Sequence, residues 1–164
     1  MNRLLLIMAG LLSALLVVTA QAAMPSLPPA TDLARDAEQA TAMRKPVVLF
    51  FTQPGCSYCR IVRYDYLQPL MFERGERDPV LLREVSITSQ RLLRTSDGRT
   101  MSEAELAARY RVQMTPTVMF VGPDGEPLTE PIVGGNHPEY LRLFNRLHDE
   151  AAGKLSGKRI RILR

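Results

Sequence analysis

"FFTQPGCSYCRIV", residues 51–63, holds the only two cysteines in this 164-residue chain. They sit where an apolar run gives way to charge, and such a pair can be a redox couple, half of a metal site or a structural staple. The flanking residues place the pair. Just before it, "VVLFF" (47–51) is a continuous β-branched and aromatic run, the mark of a strand buried on both faces of a sheet. Pro54-Gly55 is a turn. From Ser57 the period lengthens to that of a helix carrying Ile61, Tyr64 or Asp65, and Leu67 to Gln68, stopped or kinked at Pro69. Cys56 thus falls at a helix N-terminus, where unpaired N–H groups and the helix dipole favour an anion and so a thiolate. Cys59 lies one turn deeper, within disulfide reach. The roles expected from this placement are an exposed, low-pKa nucleophile at Cys56 and a shielded resolving thiol at Cys59.

Downstream, "VLLREVSIT" (80–88) reads as a strand with Val85 and Ile87 on one side, and "SQRLLRTSDGRTM" (89–101) as a loop with a turn at Asp97-Gly98. Ser102 and Glu105 form a capping box that opens a short helix through Tyr110. "TVMFV" (117–121) reads as a second buried strand and "GPDG" (122–125) as a tight turn. A strand at about 127–133 carries Pro127 and Pro131 and so belongs at a sheet edge. Gly134-Gly135 breaks the chain. Asn136 is expected to cap a last helix with Tyr140, Leu141, Phe144 and Leu147 on its inner face, closed by Gly153. Upstream, Thr31 is expected to cap a helix running to about Arg44, with Leu33, Ala37 and Ala40 on one face, ended by Lys45-Pro46. The element order predicts an α/β fold: a mixed sheet of about four strands with helices on both faces.

The N-terminus bears on compartment. Arg3 precedes an apolar run from Leu4 to Val18, and Ala20-Gln21-Ala22 is a small-x-small cleavage pattern, so residues 1–22 read as a signal peptide. The run is short for a membrane span. A periplasmic, oxidising location is therefore expected, with no membrane insertion after cleavage. Proline-rich residues 23–30 read as a linker, 31–153 as the domain and 154–164 as a basic tail. The chain carries a net charge of +4. Without Arg3 and the five basic residues of the tail (Lys154, Lys158, Arg159, Arg161, Arg164), the rest is mildly acidic, which argues against a nucleic-acid-binding face.

Chemistry narrows the cysteine readings. A zinc site needs about four ligands, and His137 and His148 show no ligand spacing, so no metal is expected and neither histidine is assigned a role. A staple closing a two-residue gap would remove little loop entropy. Redox function is the better account.

The strand "VVLFF", the Cys56-Ser57-Tyr58-Cys59 turn into a helix, Thr115-Pro116-Thr117 before a strand, and Gly134-Gly135 before the last helix together resemble the thioredoxin-like superfamily, over roughly residues 45 to 148. The motif order, with Asp97-Gly98, Ala107–Tyr110 and Thr115–Phe120 in sequence, looks like the secreted bacterial thioredoxin-fold reductases of the SoxW type. The Tyr between the cysteines and the Thr before the proline are also similar to the bacterial disulfide isomerase DsbC. The resemblance implies a thiol–disulfide oxidoreductase, in the reducing direction, with Cys56 and Cys59 catalytic and no cofactor beyond them. An isomerase, an oxidant or a non-catalytic binding module of the same fold is the alternative. Implied partners are protein thiols and disulfides and an upstream redox protein. It further implies a cis bond at Thr115-Pro116, with Pro116 packed against the disulfide. Tyr58, Thr115 and Pro116 are expected to face substrate, and Met114 and Met119, which flank the Thr-Pro, to line an apolar groove or fill the core. The chain departs from the family pattern in having no tryptophan and in placing Phe50 where thioredoxins carry a buried carboxylate that moves the resolving thiol's proton. Glu73, Glu76 and Asp65 are the sequence candidates for that task.

Overall fold

The computed structural model describes residues 26–75, 79–135 and 138–157; the expected signal peptide, Asn136, His137 and residues 158–164 of the tail lie outside these. Among the described residues the chain runs α1 (Leu33–Met43), β1 (Val47–Thr52), α2 (Ser57–Ile61), a π-helical turn (Val62–Leu67), α3 (Gln68–Arg74), β2 (Leu81–Ser86), β3 (Leu92–Arg94), β4 (Thr100–Ser102), α4 (Glu103–Arg109), β5 (Thr117–Val121), β6 (Ile132–Val133) and α5 (Tyr140–Leu155).

All six residues of β1 are buried, as its unbroken apolar run requires of a central strand. It pairs in parallel with β2 and antiparallel with β5, and β6 joins β5, giving a mixed four-stranded sheet in the order β2-β1-β5-β6. Alternation along β1 sends its side chains into two cores. Val48 and Phe50 pack with Cys59, Val62, Leu67 and Leu70 of the segment from α2 to α3 and with Tyr140, Phe144 and Leu147 of α5. Val47, Leu49 and Phe51 pack against Leu33 and Ala40 of α1 and Leu106 and Ala107 of α4 on the other face. Helices therefore cover both faces, as the element order predicts. β6 lies at the sheet edge, and prolines at 127 and 131 confine it to two residues. The expected break at Pro69 takes the form of the π-turn. The Gln68 N–H reaches back five residues to the Arg63 carbonyl, and the helix resumes as α3 with the proline in its first turn.

Several expectations are corrected. The stretch 23–30 is not linker throughout: the Ala30 N–H donates to the Glu84 carbonyl and the Glu84 N–H to the Pro28 carbonyl, both at 2.8 Å, and Leu27 and Ala30 are buried. The outer edge of β2 recruits this segment to satisfy its unpaired groups, and a proline carbonyl serves there even though its nitrogen cannot. The residues read as a loop before Met101 include β3, which pairs with β4 in a hairpin around Asp97-Gly98. Leu93 is its buried middle residue between exposed Leu92 and Arg94, too short an alternation to stand out. Asp32, not Thr31, caps α1, its carboxylate accepting the Arg35 N–H at 3.0 Å, while the Thr31 carbonyl accepts the Arg94 N–H. In α5, His148 and Ala151 share the inner face with Tyr140, Phe144 and Leu147, and Leu141 is exposed. The helix runs through Gly153 to Leu155, and Gly157, at φ +70°, follows its end.

The capping box of α4 is present in both directions: the Ser102 hydroxyl accepts the Glu105 N–H at 3.1 Å and the Glu105 carboxylate accepts the Ser102 N–H at 2.6 Å. The Glu105 carboxylate also accepts the Ser102 hydroxyl at 2.9 Å, and its bonds from the Ser102 backbone first and hydroxyl second hold the carboxyl below the usual carboxylate range. A depressed folded-state pKa contributes stability that is present above the unfolded value and lost as pH falls through the folded one. Glu105→Gln should therefore melt lower than wild type at neutral pH, and the gap should close below about pH 4 in calorimetry. Ser102→Ala should cost about 0.5–2 kcal/mol in denaturant titration.

Candidate active site

The site begins where β1 runs out of sheet. Thr52 is buried, Gln53 to Gly55 are exposed, and Gly55 supplies the positive φ (+76°) that turns the chain, with the Cys56 N–H closing back on the Gln53 carbonyl. Cys56 is the N-cap of α2, its Sγ accepting the Cys59 N–H at 3.1 Å. The two cysteines form a disulfide with an S–S distance of 2.06 Å and a Cα–Cα distance of 5.2 Å. They differ in access, Cys56 being half-buried and Cys59 only 1% exposed. That asymmetry is what an attacking and a resolving sulfur need.

Two other segments converge here. The Thr115-Pro116 bond is cis, and the Thr115 hydroxyl donates to the Cys56 Sγ at 3.6 Å. Pro116 is buried, and its carbonyl accepts the Gly134 N–H at 2.8 Å, tying the Thr-Pro turn to the glycine pair. Gly134 needs its left-handed backbone, φ +87°. Gly135 lies against the active helix, where a Cβ would stand 3.1 Å from the Tyr58 Cβ, the Tyr58 carbonyl oxygen and the Val62 Cγ2. Tyr58 itself is 52% exposed, and Met114, next to Thr115, is exposed as well. Met119 is buried in the core on the α1 and α4 side of the sheet. Tyr64 is exposed, whereas Tyr66 stacks on Tyr140 at 4.6 Å. His148 is buried among Phe120 and Phe144, and it does not line the cavity beside the disulfide.

A cavity of about 400 Å³ opens beside the disulfide, lined by both cysteines, Ser57, Arg60, Arg63, Glu84 and Ser86 among others. Glu84 comes from β2, where it is the cross-strand partner of Phe50. Arg63 grips it with two donors, Nε to Oε2 at 3.2 Å and a second bond to Oε1, and its guanidinium lies over the Phe50 ring at 5.7 Å. Asp65 and Glu73 are exposed and do not line this cavity, and Glu76 lies outside the described residues. Sequence reasoning missed both Arg63 and Glu84. The available signal was strand register, since aligning the two buried runs sets an acid beside the level of Phe50.

A family profile described as a thioredoxin-like domain matches residues 33–146. No curated protein matches the sequence. Among solved structures, Chlamydomonas reinhardtii thioredoxin f2 superposes with a TM-score of 0.50 at 18% identity, covering 73% of this chain and 94% of that one. A thioredoxin-fold protein from Helicobacter pylori gives 0.49 at 20% identity, over 70% and 82% of the two chains. Fasciola hepatica thioredoxin gives 0.46 at 24% identity, over 72% and 98%. Likeness at this level of identity is a likeness of fold.

The difference in burial predicts that a small alkylating reagent modifies Cys56 and spares Cys59 in the reduced native protein, read by peptide mass mapping. Equal labelling would contradict the assignment of roles. Gly135→Ala should overpack the contact with Tyr58 and Val62, costing about 1–3 kcal/mol, with the largest amide shifts in residues 57–62 by NMR.

Proposed function

The chain belongs to the thioredoxin-like domain family, and on that premise we propose that it is an exported thiol–disulfide oxidoreductase that reduces protein disulfides. The observation that carries the reading is the Cys56–Cys59 disulfide, with one sulfur accessible at a helix start and the other buried behind it. In the reducing direction the Cys56 thiolate attacks a substrate disulfide, forming a mixed disulfide and releasing one substrate thiol. Cys59 then attacks Cys56 Sγ, the second substrate thiol leaves, and the oxidised pair remains. Two electrons have moved to the substrate, and an upstream redox protein returns them.

The surroundings suit an extended polypeptide. Among the described residues the N–H and C=O of Thr115 have no hydrogen-bond partner, so they are free to pair with a substrate backbone laid beside Cys56. Tyr58, between the two cysteines, is exposed and so open to a substrate as well. The cleavage pattern of residues 1–22 supports export to the periplasm, the location expected of a SoxW-type reductase. The direction of electron flow is set by the potential of the couple.

Insulin reduction by dithiothreitol, followed by turbidity, tests the activity. Wild type should accelerate it and Cys56→Ser should abolish the acceleration, whereas a variant as active as wild type would remove the enzymatic reading. Intact-mass measurement of the protein recovered from periplasm should give a start near Ala23, and retention of residues 1–22 would contradict export.

A further inference from the structure

Closing the Cys56–Cys59 disulfide moves a proton as well as electrons, because the attacking form of Cys59 is the thiolate. Cys59 is 1% exposed, so its proton leaves through the cavity at its side. Among the described residues, the charged groups lining that cavity are Arg60 and Arg63 from the helical segment after Cys56 and Glu84 from β2. Two of the three are guanidinium groups that stay protonated, so Glu84 alone can take a proton.

We propose that Glu84, held at the cavity wall by Arg63, accepts the proton of Cys59 during resolution of the mixed disulfide; the proposal rests on the thiol–disulfide reading above. Register puts Glu84 there. As the parallel partner of Phe50 it projects to the same face of the sheet, and Phe50 packs in one core cluster with Cys59. Its side chain is 23% exposed and that of Arg63 20%, so the carboxyl reaches both the cavity and solvent. Arg63 is the positioning residue: its two donors fix a carboxylate that would otherwise rotate into water. In the step, the Cys59 proton passes to a Glu84 carboxylate oxygen across the cavity, and the Cys59 electron pair forms the bond to Cys56 Sγ. The bond between Cys56 and the substrate sulfur breaks with its pair on the leaving sulfur, which takes a proton from solvent. Glu84 then discharges its own proton to solvent. The two side chains act on the thiol in opposite senses, the carboxylate disfavouring the Cys59 thiolate and the guanidinium favouring it.

The test uses the full chain, reduced and then mixed rapidly with dithiobis(nitrobenzoic acid), so that Cys56 carries a thionitrobenzoate that Cys59 expels. That leaving group departs as a thiolate, which isolates loss of the Cys59 proton. Wild type should release it, and Glu84→Gln should release it about 10–100-fold more slowly near pH 7, with the deficit closing as hydroxide replaces the lost base toward about pH 9. Glu84→Asp should recover part of the rate, and Arg63→Gln should displace the pH midpoint upward. Release by Glu84→Gln at the wild-type rate, or slowed by one constant factor at every pH, overturns the proposal. Should Glu84→Gln fail to fold, an unchanged pH profile in Arg63→Gln overturns it instead. Wild type that never expels the reporter sinks the oxidoreductase reading itself, a distinct outcome.

Discussion

Complete burial of β1 is the constraint from which the rest of the structure follows. Six residues in a row that shun water on both faces need a sheet neighbour at each edge and a helical layer above and below. β2 and β5 supply the edges, and the two core clusters supply the layers. The strand must still end somewhere. It ends in a glycine turn that delivers Cys56 to the surface at the first turn of a helix whose inner side is already committed to the core. The unequal exposure of the two sulfurs is thus a by-product of the packing that makes β1 central.

The same packing decides where charge can sit. A carboxylate on β1 would be sealed between layers, a costly place for an ion. Phe50 avoids that cost and offers its ring to the Arg63 guanidinium. The acid appears one strand over, at Glu84, where side chains of β2 are only partly covered and an arginine from the helix completes it. The glycine pair and the Thr-Pro turn close the other side. Gly135 permits backbone contact with the active helix, and Gly134 ties that contact to Pro116.

Much of this was legible in the residues, because local chemistry dictated it. The runs 47–51 and 117–121 announced buried strands, Ser102 with Glu105 announced a helix start, and the cysteine spacing at a strand-to-helix junction announced a pair within disulfide reach. What escaped depends on contacts between distant segments. Leu27 and Ala30 look like linker until the open edge of β2 is placed beside them. Leu93 alternates over only three residues, below what periodicity can register. Gly153 looks like a terminator, yet the packing of Ala151 and the turns before it carries the helix past it. Glu84 is invisible as a neighbour of the disulfide cavity without the pairing that sets it opposite Phe50. Sequence proximity suggested Asp65 and Glu73, which face water.

The central claim is that Cys56 and Cys59 form a working redox couple and not a staple. Equilibrating the protein with mixtures of reduced and oxidised glutathione, and trapping the thiols with acid, measures that directly. The account predicts a single two-electron transition at a potential between about −270 and −120 mV, on the negative side of about −200 mV for a reductase. A disulfide that remains oxidised below about −300 mV, as structural disulfides do, would contradict it.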